Sequence, residues 1–255
     1  MLKTFYTELD RRNHFLAKSG AFCFLMATLL VFFPLIDSRE LQGVNVWLKP
    51  LKFFVSVGIF FWTMGWLMDY LNEPQKVKKI SLWIFILMAI ELILITYQAA
   101  QGKLSHFNIS SILDGIIFQT MGIVISINSF VVLWFLFLFR KVKSLPSGYA
   151  LAIRAGLIIF LIAGFEGFVM ASRLGHTIGA PDGQEGIFLL GWAKAYGDLR
   201  VFHFVGLHAL QILPLLAWFF WKDNSKISGI VGLIYFVFSS ATLWIAFQGK
   251  GIWPF

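Results

Sequence analysis

Long apolar runs recur along the whole chain, and their length limits the possible folds more than any other feature of the sequence. A run of about 20 apolar residues crosses the hydrocarbon core of a bilayer as one α-helix. With 58% hydrophobic and 13% charged residues, the composition is that of a polytopic membrane protein. We therefore predict an all-α bundle of seven transmembrane helices. The predicted spans are 20–36, 46–68, 80–99, 111–139, 151–172, 201–221 and 227–247.

The first 19 residues precede these spans and show a different pattern. Apolar side chains from Leu2 to Leu16 recur at near-helical spacing, with basic side chains from Lys3 to Lys18 between them. This pattern predicts a basic amphipathic helix on the membrane surface over residues 1–19. The run that follows lacks a small-residue cleavage site before Asp37, so we predict a retained helix rather than a signal peptide. The seven-helix domain then occupies residues 20–255.

Lysine and arginine side chains are unequally distributed between the two predicted faces of the bundle. With the N-terminus inside, 13 of the 21 basic residues lie on the inner face and 8 on the outer face. Because basic residues concentrate in cytoplasmic loops, this bias predicts an N-in, C-out orientation. It also accounts for the net charge of +8 without nucleic acid as a partner, since no patch of interleaved basic and aromatic residues occurs. The single cysteine, Cys23, excludes an internal disulfide.

The stretch 197–211, at the start of the sixth span, is unusually polar for a membrane segment. Ionisable groups are costly at membrane depth, and they usually face the bundle interior or a water-filled cavity. The polar residues of this stretch are Asp198, Arg200, His203, His208 and Gln211. Other polar residues fall on the same predicted outer face, namely Lys52, Gln98, His106, Asn108, Asp114 and Glu166. We predict that these residues form an outward-facing cluster.

The residue types of this cluster suggest three roles. Histidines and carboxylates can exchange protons with a substrate. The candidates for catalysis are His203, His208, Glu166 and Asp114. Histidines also bind divalent metals, and the candidate metal ligands are His106, His203 and His208. The candidates for substrate binding are Arg200, Asp198, Gln211, Lys52, Gln98 and Asn108.

Simpler structural roles stay open for several of these residues. Asp198 and Arg200 can form only an ion pair at the start of a helix. Asp114 can serve only the helix dipole, and Lys52 can extend its ammonium group to lipid headgroups. Glu166 is harder to explain in this way, because a carboxyl group in a membrane span must be protonated, paired or hydrated.

The spacing of His203 and His208 restricts how both rings can serve one site. Five residues correspond to about 140° of rotation on a regular helix, so the two rings do not share a face. A π-bulge near Gly206 would bring the rings together. Alternatively, each ring has a different neighbour, with His203 near the Arg200 face and His208 near Gln211. We favour the second arrangement.

Two further expectations concern the start of the sixth span. Arg200 lies at the N-terminus of this helix, where the helix dipole disfavours a cation. We therefore predict that Arg200 forms a bidentate ion pair with Asp114 or Glu166 from another helix. The preceding loop, 174–196, contains the apolar run 187–192. This run predicts a segment that dips into the membrane interface or covers the site as a lid.

Two phrases of the sequence resemble those of a family of uncharacterised bacterial seven-helix integral membrane proteins. The phrases are Ser-His-Phe-Asn at 105–108 and Gly-Asp-Leu-Arg-x-x-His-Phe-x-Gly-Leu-His at 197–208. The resemblance implies a location in a bacterial membrane, which we expect to be the inner (cytoplasmic) membrane. It implies no activity.

Three functions are compatible with the predicted cluster. The first is a membrane enzyme that acts on a lipid-like substrate by metal-dependent or acid–base chemistry. The second is a haem-binding redox protein, with histidines from two segments on one iron. The third is a non-catalytic binder, carrier, sensor or assembly factor. The expected partners are the lipid bilayer and a lipid-like or small-molecule ligand, and the candidate cofactors are a divalent metal or haem.

Overall fold

The computed structural model describes residues 2–252, and that range contains eight α-helices. They are α1 (Leu2–Arg12), α2 (His14–Leu30), α3 (Leu48–Met68), α4 (Pro74–Ala100), α5 (Ile112–Phe139), α6 (Ser147–Arg173), α7 (Leu199–Leu216) and α8 (Ser225–Phe247). Seven of these helices, α2 to α8, are long and apolar enough to cross a membrane. By the length and composition of its helices, the predicted all-α bundle of seven membrane spans is confirmed.

Short elements join or extend the helices. The helical ones are two 3₁₀ turns, Phe33–Leu35 and Asp69–Leu71, and a π-helical turn, Ala217–Trp221, that continues α7. The strands are β1 (Glu40–Leu41) with β2 (Val44–Asn45), and β3 (Thr177–Ile178) with β4 (Gly197–Asp198). Both pairs are antiparallel, and the second brings Asp198 opposite Thr177.

The chain forms two compact units, Met1–Phe135 and Leu136–Phe255, with the boundary inside α5. In the first unit, the amphipathic helix α1 packs against α3. The Phe5 ring stacks on the Trp66 ring with 5.3 Å between centroids, and the Arg12 guanidinium lies 4.2 Å from the centre of the same indole. Leu9 of α1 is completely buried. The apolar face of α1 is therefore covered at least in part by protein.

The junction between α1 and α2 differs from the predicted single helix over residues 1–19. α1 ends at Arg12, and Asn13 caps α2 by accepting a hydrogen bond from the Leu16 backbone N–H at 3.1 Å. The first span accordingly begins at His14, six residues earlier than the apolar run suggests. A polar cap can start a helix before its apolar segment begins, so hydrophobicity alone does not locate this boundary.

The connection between α2 and α3 folds into the β1–β2 ribbon, which is fixed by Asp37. The Asp37 carboxylate accepts hydrogen bonds from Arg39 at 2.7 and 2.9 Å and from the Trp47 indole N–H at 2.8 Å. These hydrogen bonds, first from Arg39 and then from Trp47, hold the pKa of Asp37 well below its ordinary value. Trp47 also belongs to a small buried cluster with Leu30, Val46 and Ala99.

The second unit depends on close contact between α6 and α7. A Cβ atom at Gly206 would overlap the Ala163 side chain, and one at Gly156 would come within 2.7 Å of the Ala209 carbonyl oxygen. Small residues at such contacts let helix backbones approach each other in membranes. α8 joins them through Tyr235, whose hydroxyl donates to the Val205 carbonyl at 2.6 Å.

The irregular part of the sixth span lies near its other end. The π-helical turn at Ala217–Trp221 follows Pro214, whereas residues 199–216 form a regular α-helix. Proline removes one backbone donor from the helix, which explains an irregular turn at this point. The alternative of a π-bulge near Gly206 is therefore wrong, and His203 and His208 keep their separation around the helix.

Candidate functional site

The start of α7 is organised by Asp198, which is 2% exposed. Its carboxylate accepts hydrogen bonds from the Ala193 N–H at 2.9 Å and from the Arg200 N–H at 3.0 Å. The Arg200 guanidinium donates to both carboxylate oxygens, with Nε–Oδ1 at 2.9 Å and Nη2–Oδ2 at 2.6 Å. A further bond joins Arg200 Nη2 to the Gly191 carbonyl.

The prediction that Arg200 pairs with Asp114 or Glu166 is thus wrong, and the simpler ion pair with Asp198 is confirmed. Asp198 lies in β4 with φ −131° and ψ 109°, before the helix begins. As the N-cap of α7, Asp198 directs its carboxylate toward the Arg200 backbone N–H, and in this position it can also reach the Arg200 guanidinium. Burial alone would raise the pKa of Asp198. The hydrogen bonds and charge of Arg200 outweigh burial, so the pKa lies below its ordinary value.

The long loop before α7 is attached to the same point. Asp182 accepts hydrogen bonds from the backbone N–H groups of His176 and Thr177, at 3.1 and 2.8 Å. His176 Nδ1 lies 3.3 Å from Asp182 and 3.8 Å from Asp198. These contacts and the β3–β4 pairing fasten both ends of the loop beside the first turn of α7. Sequence reasoning did not identify Asp182.

The apolar run 187–192 forms a tight turn rather than a continuous strand or helix. The Ile187 N–H donates to the Trp192 carbonyl at 2.8 Å, and Gly186 pairs with Ala193. Phe188, at the tip, is 86% exposed. The Trp192 ring lies 5.3 Å from the ring of Phe204 on α7. Whether the tip enters the membrane interface or covers the site stays a prediction.

His203 and Glu166 meet at the α6–α7 contact. His203 Nδ1 lies 2.8 Å from the Ala163 carbonyl oxygen and 3.5 Å from Glu166 Oε2. A carbonyl oxygen can only accept, so Nδ1 carries the proton and the neutral ring has its lone pair on Nε2. Gly206, one turn from His203, permits the close backbone approach that lets the ring reach Ala163. A glycine in a membrane helix can be recognised in the sequence as a possible site of close helix contact, but the residue that it packs against, Ala163, cannot.

Glu166 has an unusual environment for a buried acid. It is 5% exposed, and among residues 2–252 no hydrogen bond reaches either of its carboxyl oxygens. Buried polar groups are normally satisfied, and an unsatisfied one costs about 1–3 kcal/mol, more when it is charged. Among the described residues, His203 Nδ1 lies close to this carboxyl group, at 3.5 Å from Oε2.

His208 does not join this pair. Its Nδ1 hydrogen-bonds to the Phe204 carbonyl at 2.7 Å, and its ring lies 4.1 Å from the Phe204 ring. The two histidines therefore have different hydrogen-bond partners, as in the arrangement that we favoured. Gln211 lies one turn beyond His208 on the same helix.

In the first unit, Asp114 is enclosed by donors. Its carboxylate accepts from Gln98 at 3.0 Å, from Lys103 at 3.0 Å, and from Ser111 at 2.6 Å. Ser110 adds a fourth donor at 3.1 Å. This arrangement joins α4, the following loop and the first turn of α5. Asp114 and Gln98 thus have a structural explanation, and Lys103 is a partner that the sequence analysis missed.

The other candidates of the first unit lie in the same loop or on α3. Asn108 shapes the loop, since its amide donates to the Leu104 carbonyl at 3.0 Å and its Oδ1 accepts from the Ser110 N–H at 3.1 Å. His106 Nδ1 lies 3.1 Å from Ser105 Oγ, and its ring is 5.7 Å from that of Phe53. Lys52 is half-buried on α3.

The structure does not assemble the predicted metal ligands within either unit. Among residues 2–252, no three His, Cys, Asp or Glu side chains come together as a metal-binding group. His106 belongs to the first unit, whereas His203 and His208 belong to the second and bond to different carbonyl oxygens. A metal site that joins these histidines stays a prediction.

No protein-family model, curated protein or solved structure matches this chain. Its function therefore has to be argued from the chemistry of the site. Among the described residues, His203 and Glu166 form a neighbouring pair whose polar atoms are not all used in hydrogen bonds within the fold. These atoms are Nε2 of His203 and both carboxyl oxygens of Glu166. Such a pair can take a proton from a ligand, or accept a hydrogen bond from one.

Proposed function

We propose that the chain is an integral protein of the bacterial inner membrane, with its N-terminus in the cytoplasm, and that His203 and Glu166 carry out acid–base chemistry on a lipid-like substrate. One observation carries the proposal: the carboxyl group of Glu166, in a helix long and apolar enough to span a membrane, receives no hydrogen bond from residues 2–252, yet it lies 3.5 Å from the His203 ring. Ionisable groups inside membrane spans are costly and commonly functional.

The two side chains suit the roles of base and supporting acid. The hydrogen bond from Nδ1 to Ala163 fixes the ring in the tautomer whose Nε2 can accept a proton. The imidazolium that then forms is stabilised by the carboxylate of Glu166 beside it. A carboxylate that stabilises the imidazolium form of a histidine base is a recurrent feature of catalytic sites. General acid–base catalysis of this kind contributes about 10²–10⁴-fold to a rate.

Their position favours a substrate that arrives through the membrane. Glu166 lies seven residues before the end of α6, or about 10 Å along the helix axis. His203 is the fifth residue of α7. Both ends belong to the face predicted to point outward, where the exposed apolar tip of loop 174–196 also lies. A lipid-like molecule in the outer leaflet would reach this depth without crossing the bilayer.

Arg200 and Asp198 have a supporting role in this proposal. Each neutralises the other's charge, and together they fix loop 174–196 to α7. We therefore assign them to positioning of the site rather than to direct contact with substrate. The same reasoning removes Asp114, whose four donors already satisfy it, from the list of catalytic candidates.

Two alternatives are also supported by specific contacts. The unsatisfied oxygens of Glu166 would suit a non-catalytic binder or carrier whose ligand supplies a hydroxyl or amine donor. His203 also has the arrangement common among metal-ligating histidines, in which one ring nitrogen donates to a carbonyl oxygen and the other faces the metal. A divalent metal or a haem iron would then need a further ligand from elsewhere.

The experiment compares three proteins in liposomes made from the total lipid extract of the expression host. They are wild type, His203→Asn and His208→Asn, and lipids are quantified by mass spectrometry over time. The asparagine amide can replace Nδ1 as the donor to Ala163, but it provides no base. We expect lipid conversion by wild type and by His208→Asn, and at least a 100-fold slower conversion by His203→Asn.

Two results would contradict the proposal. Equal conversion by wild type and His203→Asn would remove His203 from the chemistry. No conversion by wild type, together with a lipid or small molecule that co-purifies with wild type and is lost in Glu166→Gln, would favour the binder. A Soret band, or stoichiometric metal lost in His203→Asn, would instead support the haem or metal alternative.

A further inference from the structure

A cleft of about 590 Å³ lies at the opposite end of the first unit from His106. It is formed where the α1–α2 junction faces the turn between α3 and α4. Its lining includes Arg12, Asn13, Phe15, Lys78, Ser81 and Leu82. The N-terminal segment and this turn belong to the face that the charge bias predicts to be cytoplasmic. The cleft is thus separate from the proposed acid–base site, which lies in the second unit.

Four charged residues line the cleft, namely Arg12, Asp69, Glu73 and Lys78, and of these Lys78 has no ion pair with residues 2–252. Arg12 is held by Glu8, with Nε–Oε1 at 2.7 Å, and lies 3.7 Å from Asp69. Glu73 is paired with Lys76. Lys78 is exposed, and no carboxylate of residues 2–252 lies within 4.0 Å of its ammonium group. An anion that entered the cleft would therefore meet Lys78 without having to break an existing ion pair.

The floor and the start of α4 add further groups that suit a phosphate. Asn13 Nδ2 donates to Ser81 Oγ at 2.8 Å, so the floor is polar although both residues are buried. α4 begins at Pro74, which also lines the cleft, and no side chain caps this helix. The positive end of a 27-residue helix therefore adjoins the cleft and favours an anion beside Lys78.

The side of the cleft toward the membrane is apolar. Phe15 is 41% exposed and Leu82 is 48% exposed, although both belong to membrane spans. Along α4 the exposed apolar surface continues one turn further to Ile86, and along α2 it continues to Phe22. A ligand with a phosphate at one end and hydrocarbon at the other would match both parts of this surface.

We infer that this cleft binds a phospholipid of the cytoplasmic leaflet, with its phosphate on Lys78 and an acyl chain against Phe15 and Leu82. Because Lys78 provides the unpaired charge, an anionic headgroup is preferred over a zwitterionic one. Basic pockets between membrane helices on the cytoplasmic side are common sites for anionic headgroups. Bound lipid would hold α1 and α2 against α4.

The test measures lipid binding to the purified full-length chain in detergent by native mass spectrometry. The probes are phosphatidylglycerol, phosphatidylcholine and inorganic phosphate. The variants are Lys78→Gln and the matched control Lys79→Gln, an adjacent exposed lysine that does not line the cleft. We expect Lys78→Gln to weaken phosphatidylglycerol binding about fivefold, the effect of one basic residue near a headgroup. Lys79→Gln should change it by less than twofold.

Three other outcomes of this experiment would each contradict one part of the inference. Equal effects of the two variants would mean that only the general basic charge of this face attracts lipid. Equal binding of phosphatidylcholine would overturn the inferred preference for an anionic headgroup. Binding of inorganic phosphate as tight as that of phosphatidylglycerol would exclude the acyl-chain contact with Phe15 and Leu82. None of these outcomes affects the acid–base proposal, because His203 and Glu166 take no part in the measurement.

Discussion

Replacement of Arg200 by glutamine tests how the start of α7 is held. The change removes two hydrogen bonds to the Asp198 carboxylate and one to the Gly191 carbonyl. Asp198, which is 2% exposed in wild type, would keep the backbone donors of Ala193 and residue 200. Loss of one partner from a buried ion pair costs about 3–5 kcal/mol. Because the Arg200 side chain is 30% exposed, we expect a loss of unfolding free energy at the low end of this range, about 3 kcal/mol.

That free energy corresponds to a measurable change in thermal unfolding. For a chain of this size, 1 kcal/mol shifts the melting temperature by about 2–4 °C, so Arg200→Gln should melt about 6–12 °C below wild type at pH 7. Arg200→Lys keeps the charge but loses the bidentate geometry, so its melting temperature should lie between those of wild type and Arg200→Gln. Tryptophan fluorescence in detergent provides the assay.

The pH dependence of the same variant gives a sharper test. In wild type the folded pKa of Asp198 is lowered, so the stabilisation that it provides is present above the unfolded pKa of about 3.9 and is lost only as pH falls through the lower, folded value. Without Arg200, burial is the dominant influence and raises the pKa of Asp198. A raised carboxyl pKa destabilises the fold as pH rises. The difference in melting temperature between wild type and Arg200→Gln should therefore narrow from pH 7 to pH 5.

His176 lies beside the same carboxylate, with its Nδ1 3.8 Å from Asp198. It is present in both proteins, so the comparison isolates the removal of the Arg200 side chain. The reasoning would be refuted by a melting temperature within 2 °C of wild type at pH 7, or by a difference that does not change between pH 7 and pH 5.

Two further predictions concern packing and orientation. Gly206→Ala should lower stability by about 1–3 kcal/mol, because the new Cβ overlaps Ala163, whereas Gly229→Ala, with its nearest atom 3.7 Å away on Leu151, should be neutral or stabilising in the same melting assay. A topology reporter fused to the C-terminus should be active only outside the cytoplasm, as the N-in, C-out orientation requires, and a cytoplasmic signal would reverse the assignment of both faces.

The apolar runs predict the helices well because membrane spans depend on a local property. A segment that is long and apolar enough must satisfy its backbone hydrogen bonds internally, whatever surrounds it. The predicted helix starts are less accurate where a capping residue sets the first turn, as Asn13 does for α2. The amphipathic pattern around Leu9 correctly indicated a helix, but it could not show that α3 covers part of its apolar face.

The partners of individual polar groups could not be predicted in the same way. His203 bonds to the backbone of Ala163, 40 residues away, and a backbone oxygen leaves no mark in the sequence. The helix-dipole argument predicts a carboxylate partner for Arg200 on another helix, whereas the observed partner, Asp198, is two residues away. That argument failed because Asp198 lies in a strand, which forms only when Gly197 and Asp198 pair with Thr177 and Ile178.

The contrast between Asp114 and Glu166 is the main reason to place function in the second unit. Both carboxyl groups are buried near helix ends predicted to face outward, and sequence alone gave them the same role. Asp114 receives four donors, one from α4 and three from the loop before α5, and these satisfy it as a structural carboxylate. Glu166 receives no hydrogen bond from residues 2–252 and has His203 as its close polar neighbour. The fold supplies Asp114 with all the donors that a buried carboxylate needs. The unsatisfied carboxyl oxygens of Glu166 are therefore best explained by a bound ligand or a transferred proton.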